Sequence, residues 1–132
     1  MKKILLVFIF MCIMNMLLAP KTEALLVFIP PEINYYNPLI RAINLVEVGD
    51  GSDLYNEDEQ AVGYFQIRPI RLADYNSRTG KMYQMSDLYN YDISKEIFLY
   101  YTNGRSYEKV AKSWNGSGPK TISYWKKVKS KL

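Results

Sequence analysis

A single small domain of mainly α class, with a polar loop after its first helix, is what three features of the 132-residue sequence predict. Apolar residues recur at helical spacings of three and four in several segments, beginning with Leu39, Ile43 and Val46. Helix-start residues precede those segments, as at Asn37-Pro38, Asp92 and Ser106, and glycines follow them, as at Gly49, Gly104 and Gly116. Residues 49–60 show no clear alternation of apolar and polar side chains, so they read as a loop.

Taken in order, residues 1–24 read as a secretory signal peptide. Lys2-Lys3 precede an apolar run over 4–18, and Ala19 to Ala24 supplies small residues for cleavage. The alternative, an uncleaved anchor, is interrupted by Pro20, Lys21 and Glu23 short of the roughly 20 apolar residues a span requires. Cys12 lies in the leader without the preceding small residues of a lipidated cysteine. Removing residues 1–24 from the 132 leaves 108, with no cysteine or histidine. No disulfide supports the core, and the usual zinc and thiol chemistries are excluded. Catalysis falls to carboxylates, hydroxyls or lysine, and neither a metal nor a cofactor is called for.

The domain, residues 25–132, opens on a proline-broken lead-in containing Pro30 and Pro31. Asn37 is placed to cap the first helix, and Pro38 suits its first position. Leu39, Ala42, Ile43 and Val46 form the inward face, and Gly49 and Gly51 stop the helix. After the loop, Gly63 permits a close backbone approach. A short helix opens at Arg68-Pro69 and runs through Asp74, followed by an irregular, tyrosine-rich connection over residues 81–91. Asp92 caps a helix to Thr102 with Ile93, Ile97 and Tyr100 or Tyr101 facing in. Ser106 caps residues 107–114, whose Val110, Ala111 and Trp114 share a face. A final helix over 121–131 buries Ile122, Trp125 and Val128.

The mature chain has 14 basic against 12 acidic residues, a net charge of +2, too little for a general nucleic-acid binder. The distribution is uneven. Residues 42–59 hold six acids and no base, and residues 105–132 hold eight bases against Glu108. This asymmetry reads as a solvated helix face or as an orienting field for an anionic envelope polymer.

Glu47 is the candidate catalytic residue. It sits in the last turn of the first helix, where the partial negative charge of the helix end penalises a carboxylate by about 0.3–1 kcal/mol. Burial against Val46 and Val48 adds to that penalty. Both effects favour the protonated acid, the form a general acid needs near neutral pH. Gln66, with a donor and an acceptor on one amide, suits a sugar hydroxyl or N-acetyl group. The high aromatic content agrees with a carbohydrate groove and equally with a core.

Three elements in order, Glu47 at an apolar helix end, Gly63-Tyr64-Phe65-Gln66-Ile67 before Pro69, and Ser113-Trp114-Asn115-Gly116 followed by Tyr124-Trp125, resemble the lytic transglycosylase domain of the lysozyme-like superfamily. The resemblance covers residues 35–128. Val48 departs from the family's usual Ser, and Trp114 from its usual Tyr. The resemblance implies an α+β lysozyme-like fold with a possible short β-ribbon after the catalytic helix. It implies cleavage of the β-1,4 bond between N-acetylmuramic acid and N-acetylglucosamine in peptidoglycan. Glu47 acts as acid and then base. By the same resemblance Gln66 and Asn115 hold sugar substituents, and Tyr64, Phe65 and Trp114 shape the groove. The implied partner is the peptidoglycan glycan strand, met by a monomer in the periplasm or outside the cell, with the membrane involved only through the leader. A hydrolytic lysozyme is the nearest alternative, for which Asp50, Asp53, Asp58 and Glu59 are candidate second carboxylates. A glycan-binding module that no longer cuts is the alternative that Val48 keeps open, and an anchored structural protein is a third.

Overall fold

The computed structural model describes residues 34–132; the leader, Cys12 and most of the lead-in lie outside the described residues. The described chain is mainly helical with one small two-stranded sheet. Helix α1 spans Asn37–Glu47. Asn37 is its first helical residue and not its cap, because the chain already turns upstream. Asn34 directs that turn: its side chain accepts from the Tyr36 N–H and its carbonyl from the Asn37 N–H, both at 2.9 Å. Leu39, Ala42 and Ile43 are fully buried, and Val46 packs against the same core. Glycines 49 and 51, both at positive φ, carry the chain away after Glu47.

The predicted loop contains a ribbon. Strand β1, Tyr55–Asn56, pairs antiparallel with β2, Ala61–Val62, Tyr55 opposite Val62. Strands of two residues are too short to display alternation. Val62 and Ile67 then exchange backbone bonds of 3.1 and 2.9 Å, closing residues 63–66 into a tight loop. A Cβ on Gly63 would lie 2.1 Å from the Leu88 carbonyl oxygen and 2.9 Å from the Ser94 hydroxyl, so the predicted close approach is to the chain itself.

Helix α2 spans Pro69–Thr79, five residues beyond Asp74, and ends at Gly80 in the left-handed conformation. Ser77 does not break it, and the Thr79 hydroxyl bonds back to the Tyr75 carbonyl at 2.7 Å. The connection that read as irregular holds a 3₁₀ helix, Met85–Tyr89, closed by reciprocal Gln84 and Asp87 bonds. Helix α3, Tyr91–Tyr100, is capped by Asn90 instead of Asp92: the Asn90 side chain accepts from the Asp92 and Ile93 N–H groups at 2.9 and 3.3 Å. Asp92 lies in the first turn, where its charge favours the helix start. Ser94, Ile97 and Phe98 are buried, whereas Tyr100 is exposed.

Helix α4 spans Tyr107–Asn115 and buries Val110, Ala111 and Trp114 as expected, although the Ser106 side chain makes no capping bond. Helix α5, Lys120–Lys129, turns a different stripe inward. Thr121, Tyr124 and Val128 are buried, Trp125 is half-buried, and Ile122 is 52% exposed. Two overlapping stripes run along this helix, and packing against both α1 and α4 selects the one containing Tyr124. The core centres on three aromatics. Phe65 stacks on Phe98 at 4.8 Å between centroids, and Phe98 meets Trp114 edge-on at 4.9 Å. Each such pair contributes about 0.5–1.5 kcal/mol beyond its buried area.

Gly63→Ala is expected to destabilise the protein by about 3 kcal/mol or more in urea unfolding, since it adds a backbone clash to a positive φ. Gly80→Ala has the same sign of φ with open space around it, and is expected to cost only about 1–2 kcal/mol. Equal costs at the two positions would refute the close approach.

Candidate active site

Glu47, the last residue of α1, projects into a cleft of about 250 Å³ bounded by the ribbon, the tight loop and helices α2, α4 and α5. Gln66, Trp114 and Asn115, three of the residues singled out from the sequence, line it with Tyr124, Arg71 and Lys127. Past Glu47, Asn56 and Gln66 the cleft continues into an acidic section of about 510 Å³ lined by Asp53, Glu57 and Asp58. Each section is within or near the size range of small-molecule sites.

Each lining side chain has a local cause for its position. Gln66 closes the tight loop at φ 47°, a left-handed conformation uncommon for a residue with a Cβ. Its amide Nε2 donates to the Gly63 carbonyl at 3.1 Å, which fixes the side chain and leaves its own carbonyl oxygen free of protein donors among the described residues. Trp114 is buried, and its Nε1 donates to the Phe65 carbonyl at 3.0 Å, pinning the tight loop to α4. Asn115, the next residue, ends α4 at the cleft edge.

Two residues expected in the groove are elsewhere. Phe65 is fully buried in the aromatic core. Tyr64 packs edge-on against Tyr91 at 5.2 Å and lines a separate depression beside α1 with Leu45 and Val48. The tight loop sends successive side chains in different directions, so of the three only Gln66 faces Glu47.

The environment of Glu47 favours its proton. Burial holds the carboxyl above its ordinary pKa of 4.5, and nearby Glu59 pushes the same way. A hydrogen bond from Tyr124 opposes this, as do the charges of Arg68 and Arg71, without reversing it. The Tyr124 hydroxyl donates to Glu47 Oε1 at 2.6 Å. Burial, the Glu47 charge and that bond push the phenol pKa far upward, so the tyrosine remains a donor throughout the accessible pH range. Oε2 makes no hydrogen bond among the described residues, and it is the oxygen left to exchange a proton with a ligand.

Three further charges were not read from the sequence. Arg68 holds Glu59 through Nε and Nη2 at 2.9 and 2.7 Å. The Arg71 guanidinium lies 4.0 Å from the Trp114 ring, and its Nη2 donates to the Trp114 carbonyl at 3.0 Å. Lys127 is exposed on α5 and makes no ion pair among the described residues. The sequence offered one signal for the arrangement, the spacing of Thr121, Tyr124 and Val128, which places a phenol on the packed face of the last helix.

A folded-state pKa above 4.5 means that the native protein binds the Glu47 proton more tightly than the unfolded chain. The resulting stability is complete below 4.5 and is lost as pH rises through the folded value. The urea midpoint of wild type relative to Glu47→Gln is therefore expected to fall as pH rises above 4.5; a rise would refute burial as the dominant influence. Tyr124→Phe removes a bond that favours the ionised form, and is expected to move the carboxyl titration of Glu47, followed by carbon NMR, to higher pH. Comparison of the chain with family models, curated proteins and solved structures finds no match.

Proposed function

We propose that this chain is a peptidoglycan lytic transglycosylase of the lysozyme-like superfamily, acting in the cell envelope with Glu47 as its single acid and base. The observation carrying this reading is a carboxyl whose proton is favoured by burial, with one oxygen held by Tyr124 and the other unengaged, in a cleft that also presents the Gln66 and Asn115 amides. A free amide carbonyl and a second amide suit the hydroxyl and N-acetyl groups of a glycan.

In this mechanism Glu47 gives its proton to the glycosidic oxygen as the C1–O bond breaks and the bonding pair passes to the departing sugar. The resulting carboxylate takes the proton of the muramyl 6-hydroxyl, and that oxygen bonds to C1 to close the 1,6-anhydro ring. Glu47 finishes protonated, and no water is consumed. Tyr124 orients the carboxyl and donates to it in both states. Its bond offsets part of the burial penalty when the carboxyl is ionised.

One observation favours a second reading, hydrolysis: Glu59 lines the same cleft as a second carboxylate. Its two bonds to Arg68 weigh against a nucleophilic or basic role, because they stabilise the charge the reaction would have to use. Digestion of purified peptidoglycan separates the readings. Transglycosylation leaves 1,6-anhydromuramyl ends in mass spectra, and hydrolysis leaves reducing ends. Glu47→Gln is expected to lose at least about 10²- to 10⁴-fold in the rate of wall clearing. Wall binding without any cleavage by wild type would leave only a binding module.

A further inference from the structure

We propose that Arg71 and Lys127 form a carboxylate-binding subsite beside Glu47, which makes an acidic group on the glycan strand a determinant of what the cleft accepts. This rests on the reading of the cleft as a peptidoglycan site. The starting observation is an imbalance of charge. The basic section is lined by Arg68, Arg71 and Lys127 against Glu59 and Glu47. Arg68 is committed to Glu59 by two short bonds. Glu47 is neutral in its protonated form. Arg71 and Lys127 are then two cations without an anion among the described residues.

Arg71 differs from an ordinary solvated surface arginine. It is half-buried, and its guanidinium lies against the Trp114 indole. Nη2 is spent on the carbonyls of Ser113 and Trp114 at 3.4 and 3.0 Å. Nε and Nη1 have no acceptor among the described residues. Withdrawing a guanidinium from water without a counter-ion is costly, and the stack and the carbonyl bonds hold it ready for one. Lys127 reaches the same cleft from α5, as a flexible point charge at the rim. A carboxylate fits this pair, since it takes charge-assisted bonds from both. Peptidoglycan carries a carboxylate next to the scissile bond in one of two forms: on the stem peptide, or, where that peptide has been removed, on the lactyl ether of the muramyl sugar.

Calorimetric binding of soluble strands to the Glu47→Gln protein tests the subsite independently of cleavage. Three strand preparations are compared: peptide-bearing, amidase-stripped so that the lactyl carboxylate is free, and peptide-bearing with every carboxylate capped as a neutral methylamide. Capping is expected to weaken binding roughly tenfold or more. Lys127→Met and Arg71→Met are expected to weaken binding of acidic strands similarly while leaving the capped strands unchanged. Lys127 is exposed, so its variant guards against misfolding of the Arg71 variant. Loss of affinity on stripping restricts the subsite to stem-peptide carboxylates, and retained affinity shows that the lactyl carboxylate, free only once the peptide is removed, fills it as well. Equal affinity for acidic and capped strands overturns the subsite, as does absence of binding to any strand. A preference for acidic strands together with a wild type that cleaves none would sustain the subsite and overturn the cleavage reading alone.

Discussion

The hydrogen bond from Tyr124 to Glu47 is the contact on which the rest of the site depends. It joins residues 77 positions apart, and so ties the end of the first described helix to the middle of the last. A carboxyl taken out of water without a donor would leave a polar group unsatisfied at a cost of several kcal/mol when charged. The phenol supplies that donor and fixes which oxygen stays open. It can do so only because α5 is docked against α1 and α4. Helix α4 is in turn held to the tight loop by the Trp114 indole. The loop that orients Gln66 and the helix that orients the phenol are therefore parts of one packed unit.

Much of this was legible in the sequence where a pattern is local. The inward faces Leu39, Ala42 and Ile43, and Val110, Ala111 and Trp114, follow from helical spacing, and they are buried. The unusual placement of an acid at an apolar helix end pointed to Glu47, and the cleft brings Gln66, Trp114 and Asn115 to it. What stayed hidden depends on tertiary choice. Helix α5 offers two stripes, and only contact with two neighbouring helices selects Tyr124 over Ile122. Tyr64, Phe65 and Gln66 are adjacent in sequence, yet a turn closed by Val62 and Ile67 sends one to a side depression, one to the core and one to the cleft. Asn90 displaces Asp92 as cap because the helix begins one residue before Asp92, and spacing alone fixes a boundary no better than that.

The two sections of the cleft carry opposite charge. Asp53, Glu57 and Asp58 line one, and Arg71 and Lys127 the other, with Glu47 and Gln66 shared between them. A boundary of this kind imposes a direction on any ligand whose own charges are unevenly arranged.

The contact of Gly63 with the Leu88 carbonyl has a mechanical consequence. The tight loop abuts the 3₁₀ helix with no space for even a methyl group, and the Ser94 hydroxyl bonds to that same carbonyl at 2.6 Å. One jaw of the cleft is thus clamped to the body of the protein. The ribbon that leads into this loop has two residue pairs, and its outer strand is exposed. Gln66 is therefore carried on a wall that has no room to recede toward the 3₁₀ helix.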